Sequence, residues 1–283
     1  MSVERPSLYV VATPIGNLAD ITLRALDVLK RVAAVAAEDT RVTGHLLRHY
    51  GIVAPLISLH EHNERRAAQK ILELLERGDS VALVSDAGTP AISDPGAITV
   101  GLARAAGHPV VPVPGANAAV CALSVAGSTE QHFLFYGFLP PQAGARRREL
   151  AALKSLPYLL VFYEAPHRVV ACVNDMAAAF GGGRTIMITR ELTKLFEASH
   201  TCRLEAAATW FAADANRVKG EFVLVVEGTL ETGAADTDKP RQVLEILLRE
   251  LPLKQAVKLV VEIAGGKRNE LYKLALEMKA GGK

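Results

Sequence analysis

The sequence has no apolar stretch long enough to cross a bilayer. Its longest hydrophobic segments, at 8–12, 81–85 and 159–163, have the length of a β-strand, whereas a membrane span needs about 20 residues. The opening residues carry both charge signs and lead straight into a strand pattern, which does not read as a secretion signal. Cysteine is scarce. Cys121, Cys172 and Cys202 are far apart and form no CxxC pair, which argues against a disulfide framework or a zinc site and for a reducing, cytoplasmic location. His60-Glu61-His62 is the one HxH pattern, and without further ligands it carries no metal expectation. Neither GxGxxG nor GxxxxGK[ST] occurs, so neither a dinucleotide enzyme nor a P-loop NTPase is supported.

What is present is ample apolar material: half of the 283 residues are hydrophobic, enough for two domains and a small appendage. Strand-like runs at 8–12, 32–36, 56–59, 81–85 and 110–113 alternate with helical patterns at 23–30, 43–49, 64–77 and 95–106. The clearest helix, 64–77, sets Ala68, Ile71, Leu72 and Leu75 on one face and stops at Gly78. Such alternation predicts a largely parallel sheet covered on both faces. After residue 126 the strand candidates 133–138, 159–163, 186–189 and 222–226 are joined by longer connections, which predicts a second α/β lobe of mixed strand direction. The segment 231–240, Glu-Thr-Gly-Ala-Ala-Asp-Thr-Asp-Lys-Pro, is small and polar, a linker composition. Three helical segments follow at 241–251, 253–264 and 267–279. The expected organisation is an α/β lobe over 1–118, a second over 119–230, a linker over 231–240 and a small helical domain over 241–283.

Charge is unevenly placed. From Lys239 onward there are ten basic and five acidic residues, against 22 basic and 25 acidic before it. A basic tail on an acidic body suits contact with a polyanion. Within the tail, two helices around Gly265-Gly266 suggest a helix-turn-helix in which Lys267, Arg268 and Lys273 would meet such a polyanion; a purely structural three-helix cap is the rival reading. Arg146-Arg147-Arg148, at the start of a helix, suits a phosphate track; an ordinary solvated helix face is the rival reading.

Three loops follow strands and mix glycine, proline and small polar residues: 12–18, 85–96 and 113–117. Ligands of open α/β sheets sit beyond the carboxyl ends of the strands, where glycine allows close backbone approach and proline stiffens the turn. Taken in order, Thr13-Pro14-Ile15-Gly16-Asn17-Leu18, Glu38-Asp39-Thr40-Arg41, Ser85-Asp86-Ala87-Gly88-Thr89-Pro90, Asp94-Pro95-Gly96, Pro114-Gly115, Gly137-Phe138-Leu139-Pro140, Tyr163-Glu164-Ala165-Pro166-His167-Arg168 and Arg190-Glu191-Leu192-Thr193-Lys194 resemble the ribosomal RNA small subunit methyltransferase I family. That family belongs to the tetrapyrrole-methylase-like superfamily. Gly88-Thr89-Pro90 stands where the tetrapyrrole enzymes have Gly-Asp-Pro, a departure that favours the RNA branch.

The resemblance implies two α/β lobes of class III methyltransferase type with a small C-terminal helical domain. It also implies a homodimer, with S-adenosylmethionine in the cleft between the lobes. The implied reaction is methyl transfer to the ribose 2′-oxygen of a cytidine in the decoding region of 16S rRNA, free or in the small ribosomal subunit, with neither membrane nor DNA as partner. Asp86 and Asp94 can offer acceptors and negative charge to such a cofactor. Gly88, Thr89, Ile92, Pro114, Gly115 and Ala119 can offer close backbone approach and an apolar wall, and Tyr163, Glu164 and Thr189 can close the site. A ribose hydroxyl benefits from a proton acceptor. The candidates are Asp39, Glu191 and Lys194, with Asp39 and Lys194 favoured as the catalytic pair and Arg41 poised for a phosphate. A small-molecule methyltransferase and a catalytically silent ribosome-assembly factor remain the alternatives.

Overall fold

The first sheet is entirely parallel, as alternating strand and helix patterns require. The structure, a computed structural model, describes residues 5–229 and 238–280 and divides into one unit ending at Gly228 and another beginning at Thr229. In the first unit, β1 (Leu8–Val11), β2 (Ala34–Ala37), β3 (Leu56–Ser58), β4 (Val81–Val84) and β5 (Val110–Val113) lie in the order β3-β2-β4-β1-β5. Alternate residues enter opposite cores. Val35, Ala37, Ala82 and Val84 pack with Ala25, Val28 and Leu29 of α1 (Leu23–Arg31) and Leu47 of α2 (Thr40–His49). Ala36, Val81 and Leu83 pack with Ile71 and Leu75 of α3 (Glu64–Glu76) and Ala103 of α4 (Ala97–Ala105). Each large apolar side chain fully buried this way contributes about 1.5–3 kcal/mol.

The second sheet follows the short α5 (Ala118–Ser124). Its strands are β6 (Phe133–Phe138), β7 (Leu159–Glu164), β8 (Thr185–Arg190), β9 (Ala198–Arg203) and β10 (Phe222–Val226), ordered β6-β7-β10-β8-β9. Only the β6–β7 pair is parallel. One face packs on α6 (Ala143–Leu153), α7 (Val169–Phe180) and α8 (Leu204–Ala212) through Phe162, Ile188, Leu224, Leu150, Met176 and Phe211. The other face, Val161, Met187, Val223 and Val225, is covered by Ala119 and Ala122 of α5.

Three local differences from the sequence reading have simple causes. β2 starts at Ala34 rather than at 32 because Val32 still donates its N–H to Val28 O at the end of α1. α2 starts three residues earlier than the apolar pattern because Asp39 caps it. β9 has no counterpart in the reading: Ala-Ser-His-Thr-Cys-Arg is an edge strand whose residues alternate between half-buried and exposed, so it lacks the apolar run that marked its neighbours.

The second unit holds α9 (Asp238–Glu250), α10 (Leu253–Ala264) and α11 (Arg268–Ala280) around Leu244, Val257, Val260, Leu271 and Ala275. Most of the expected linker at 231–240 lies outside the described residues. Its last three positions belong to α9, with Pro240 in the first turn, where no backbone donor is needed. Lys267, Arg268 and Lys273 are exposed, and Lys267 meets Glu270 at 3.3 Å, a surface pair of little energetic consequence.

Candidate active site

The glycine- and proline-containing loops of the first sheet interlock. Thr13 and Gly88 exchange backbone hydrogen bonds of 2.8 and 3.1 Å, which ties the loop after β1 to the loop after β4. The Thr13 hydroxyl donates to Ser85 O at 3.1 Å, and the Thr89 hydroxyl to Ala116 O at 3.2 Å, joining the loop after β5. Gly115 fits because a Cβ there would come within 2.9 Å of the Ala12 Cβ.

These loops form one wall of a cavity of about 380 Å³ whose opposite wall is the second sheet. Of the expected cofactor residues, Gly88, Thr89, Ile92 and Asp94 line it from the first lobe, and Tyr163 and Glu164 from the end of β7. Asn117, Phe138, Leu192 and Glu221 line it as well and were not singled out as site residues. Phe138 sat in a recognised motif, whereas Glu221 had no local signal. The Tyr163 hydroxyl accepts the Ala119 N–H at 3.2 Å within the second lobe, and Ala119 stands behind the wall instead of in it. Thr189 is a correction. It is fully buried and its hydroxyl donates to Val223 O at 3.0 Å, because β8 places it inside the sheet. Pro114 and Gly115 are exposed beside the cavity and do not line it.

A second cavity of about 240 Å³ adjoins the first and shares Ile15, Ala87 and Glu221 with it. Asp86, expected at the cofactor, lines this one, as do Thr43, His45 and Lys194. Asp86 Oδ1 accepts the Asp39 N–H at 2.9 Å. Lys194 Nζ donates to Glu191 Oε1 and Glu221 Oε2, both at 2.9 Å.

Strain gathers at the same place. Among the described residues, the non-glycine positions with left-handed φ are Ala91 and Ser93 in the loop after β4 and Glu191 and Thr193 in the loop after β8. Such conformations cost of order 1–3 kcal/mol each and persist where surrounding structure enforces them. At Gly137, a β-bulge in β6, a Cβ would come within 2.8 Å of Ser93 Oγ, so the bulge gives the strained loop room.

Electrostatics separates the carboxylates. Burial pushes the Asp94 carboxyl up to about 6, with Glu38 and Asp86 nearby adding to the effect against a hydrogen bond from Ser85. Burial, with Asp86 beside it, also raises Glu38. Asp39 goes the other way. Hydrogen bonds from the Arg41 side chain and backbone hold it at about 2, with Arg41 Nε at 3.0 Å and its N–H at 2.8 Å. Asp39 is therefore the N-cap of α2 and the partner of Arg41, and a carboxylate so stabilised is a weak proton acceptor. Burial disfavours the Lys194 cation, but Glu221 and Glu191 outweigh it and raise the ammonium. The lowered lysine that a base would require is not found. Burial likewise raises Glu191, yet the Glu221 N–H and Lys194 bring it below its ordinary value. The charge of Glu164 is neutralised by Arg168, whose Nε lies 3.0 Å from Oε1.

The arginine triplet needs a second correction. Arg146 is 4% exposed. Its Nε donates to Asp175 Oδ2 at 2.8 Å and its Nη1 to Pro141 O at 3.2 Å. It joins α6 to α7 and is removed from any phosphate track. Arg147 Nε also binds Asp175, at 2.7 Å, from an exposed position, and Arg148 is exposed. Burial raises Asp175, but the two arginines prevail and hold it below its ordinary value.

The family model for tetrapyrrole (corrin/porphyrin) methylases matches residues 7–208, and one described as the RsmI C-terminal HTH domain matches 234–279. A ribosomal RNA small subunit methyltransferase I of Escherichia coli O157:H7 is 49% identical over 275 residues, covering 96% of this chain and 95% of that protein. Its counterpart in Pseudomonas aeruginosa is 48% identical, covering 96% and 97%. The crystal structure of uroporphyrin-III C-methyltransferase from Thermus thermophilus complexed with S-adenyl homocysteine has the same fold, with a TM-score of 0.56 at 18% identity over 78% of this chain and 97% of that one. Two sheets enclosing a loop-lined cleft, followed by a three-helix unit, thus accompany near full-length similarity, and the chain belongs to the ribosomal RNA small subunit methyltransferase I family, within the tetrapyrrole methylases.

Proposed function

We propose that the chain transfers the methyl group of S-adenosylmethionine to the ribose 2′-oxygen of a cytidine in the decoding region of 16S rRNA. Family membership supports S-adenosylmethionine-dependent methylation of rRNA. The observation that carries the reading is the pair of adjoining cavities between the two sheets, one for a donor and one for an acceptor.

The larger cavity suits the cofactor chemically. The backbone turn at Gly88, the side chains of Ile15 and Ile92 and the Tyr163 ring form its apolar surfaces, and the Asp94 carboxyl offers negative charge. When bound, the cofactor supplies a methyl group activated by a positively charged sulfur. The protein contributes alignment and exclusion of water. Asp86 faces the acceptor side, oriented by the Asp39 N–H. Lys194, kept cationic by its two glutamates, can stabilise a developing oxyanion. Asp39 and Lys194 remain part of the proposed machinery, as a positioning group and a cation respectively. The exposed Lys267, Arg268 and Lys273 of the C-terminal unit are proposed to meet RNA phosphates, together with Arg148. A homodimer in the cytoplasm completes the proposal.

The experiment is transfer of labelled methyl into small ribosomal subunits, free rRNA and porphyrin precursors, followed by nuclease digestion and mass spectrometry. Appearance of 2′-O-methylcytidine is the expected product; label in the porphyrin precursor alone would refute the reading. The Arg268→Glu/Lys273→Glu variant is expected to bind rRNA at least tenfold more weakly, with a shallower salt dependence and unchanged S-adenosylhomocysteine affinity. Filter binding across a salt series checks this.

Asp94 gives a pH signature. Its carboxyl titrates at about 6, so it is ionised at pH 7.5 and about nine-tenths protonated at pH 5. A cationic ligand favours the ionised form. Affinity for S-adenosylmethionine is therefore expected to fall about tenfold between pH 7.5 and 5. Asp94→Asn should weaken binding at pH 7.5 and flatten that profile. The ligand-free fold responds in the opposite sense: a carboxyl raised above its unfolded value destabilises when ionised, so this group adds stability as pH falls from 7 toward 4. Calorimetric titration and melting curves over the same range separate the two effects.

A further inference from the structure

We propose that the smaller cavity receives the acceptor as a nucleoside turned out of its stack, and that the Thr43 hydroxyl positions its sugar. The inference deepens the proposed rRNA methylation and rests on it.

Thr43 is 2% exposed, and its Oγ1 has no hydrogen-bond partner. Its backbone N–H is already used, donating to Asp39 O at 3.1 Å within α2. A buried hydroxyl left unpaired is costly to the fold, and a valine would fill the same space without that cost. Thr43 lines a cavity that abuts the larger one through Ile15, Ala87 and Glu221. An in-line displacement requires the attacking oxygen on the side of the methyl group opposite the leaving sulfur, and an adjoining cavity provides that approach.

The charges around the cavity identify the occupant. Its lysine, Lys194, already pairs with two glutamates, and Asp86 adds a further negative charge. No uncompensated lysine or arginine lines it, so it is unsuited to a phosphate. It offers acceptors and a hydroxyl to neutral donor groups, while Leu18, Val42 and Leu46 offer apolar surface to the carbon face of a sugar or base. A sugar–base unit, with its phosphates left outside, matches this lining. In a paired or stacked strand such a unit cannot enter a cavity without leaving the stack.

The test uses Thr43→Val and Thr43→Ser in the full chain. Steady-state methylation of small subunits, product mapping, S-adenosylhomocysteine calorimetry and thermal unfolding are measured on each. The expected result is a 10–100-fold loss of kcat/KM for RNA in Thr43→Val, largely restored in Thr43→Ser. Ligand affinity should stay unchanged, and the valine variant should melt no lower than wild type. A valine variant with wild-type kcat/KM overturns the role of Thr43. So does one that loses activity together with melting temperature and ligand affinity, since that would mark a structural hydroxyl. If the wild-type product is not 2′-O-methylcytidine, the underlying rRNA reading falls and takes this inference with it. If the product is correct and only the valine variant is indifferent, the positioning role falls alone.

Discussion

Arg146→Met is expected to destabilise the chain by about 3–5 kcal/mol, because it leaves a buried carboxylate without its main partner. Arg146 and Asp175 are 5% and 7% exposed in their side chains, and the pair joins α6 to α7 beneath the second sheet. The exposed Arg147 still reaches Asp175, so the loss should fall toward the lower end. Removing both partners, as Arg146→Met/Asp175→Leu, should recover much of the stability, since a well-packed apolar pair escapes the desolvation cost. Urea unfolding of the single and double variants measures the difference. A single variant that unfolds like wild type while binding rRNA more weakly would show that Arg146 reaches phosphate after all.

Gly16→Val is expected to lower the single-turnover methyl-transfer rate by about 10²-fold with little effect on folding. A Cβ built at Gly16 overlaps Lys194 Cγ and comes within 2.9 Å of Cε and 3.1 Å of Thr193 Oγ1. The first-lobe loop and the second-lobe loop therefore touch where a side chain has no room. Adding one must displace Lys194, break its pairs with Glu191 and Glu221, or separate the walls of the smaller cavity. Displacements near 1 Å at a reacting centre cost about this much. S-adenosylhomocysteine affinity should change less than the rate, because Gly16 and Lys194 line only the smaller cavity. A valine variant with an undiminished rate would mean that Lys194 bends aside freely and that its placement is immaterial to catalysis.

The parts of the site that could be read from the sequence share one property: their chemistry is local. Gly88, Thr89 and Asp94 belong to a single loop whose turns demand particular residues, and all three line the larger cavity. Arg146 was misread because three consecutive arginines look equivalent as a string. On a helix, consecutive residues differ by about 100°, so all three cannot face solvent alike, and the residue turned inward met Asp175, 29 positions away. Asp39 is ambiguous in the sequence for a related reason. Its position after a strand fits a catalytic carboxylate and a helix cap equally well, and only the geometry of Arg41 decides between them. Glu221 was missed because it gains meaning only from Lys194, 27 residues distant.

The sequence by itself determined the strand–helix alternation of the first sheet, the separate helical tail and the loops that could bear a ligand. Hydrophobic period and turn chemistry act between residues near in the chain, so they survive in a one-dimensional record. Only the tertiary structure decided which charges are neutralised, which side of the cleft Asp86 faces, and that Gly16 must be bare opposite Lys194. These depend on burial and on distances of a few ångströms between residues far apart in the chain, which come into being when the two sheets close on each other.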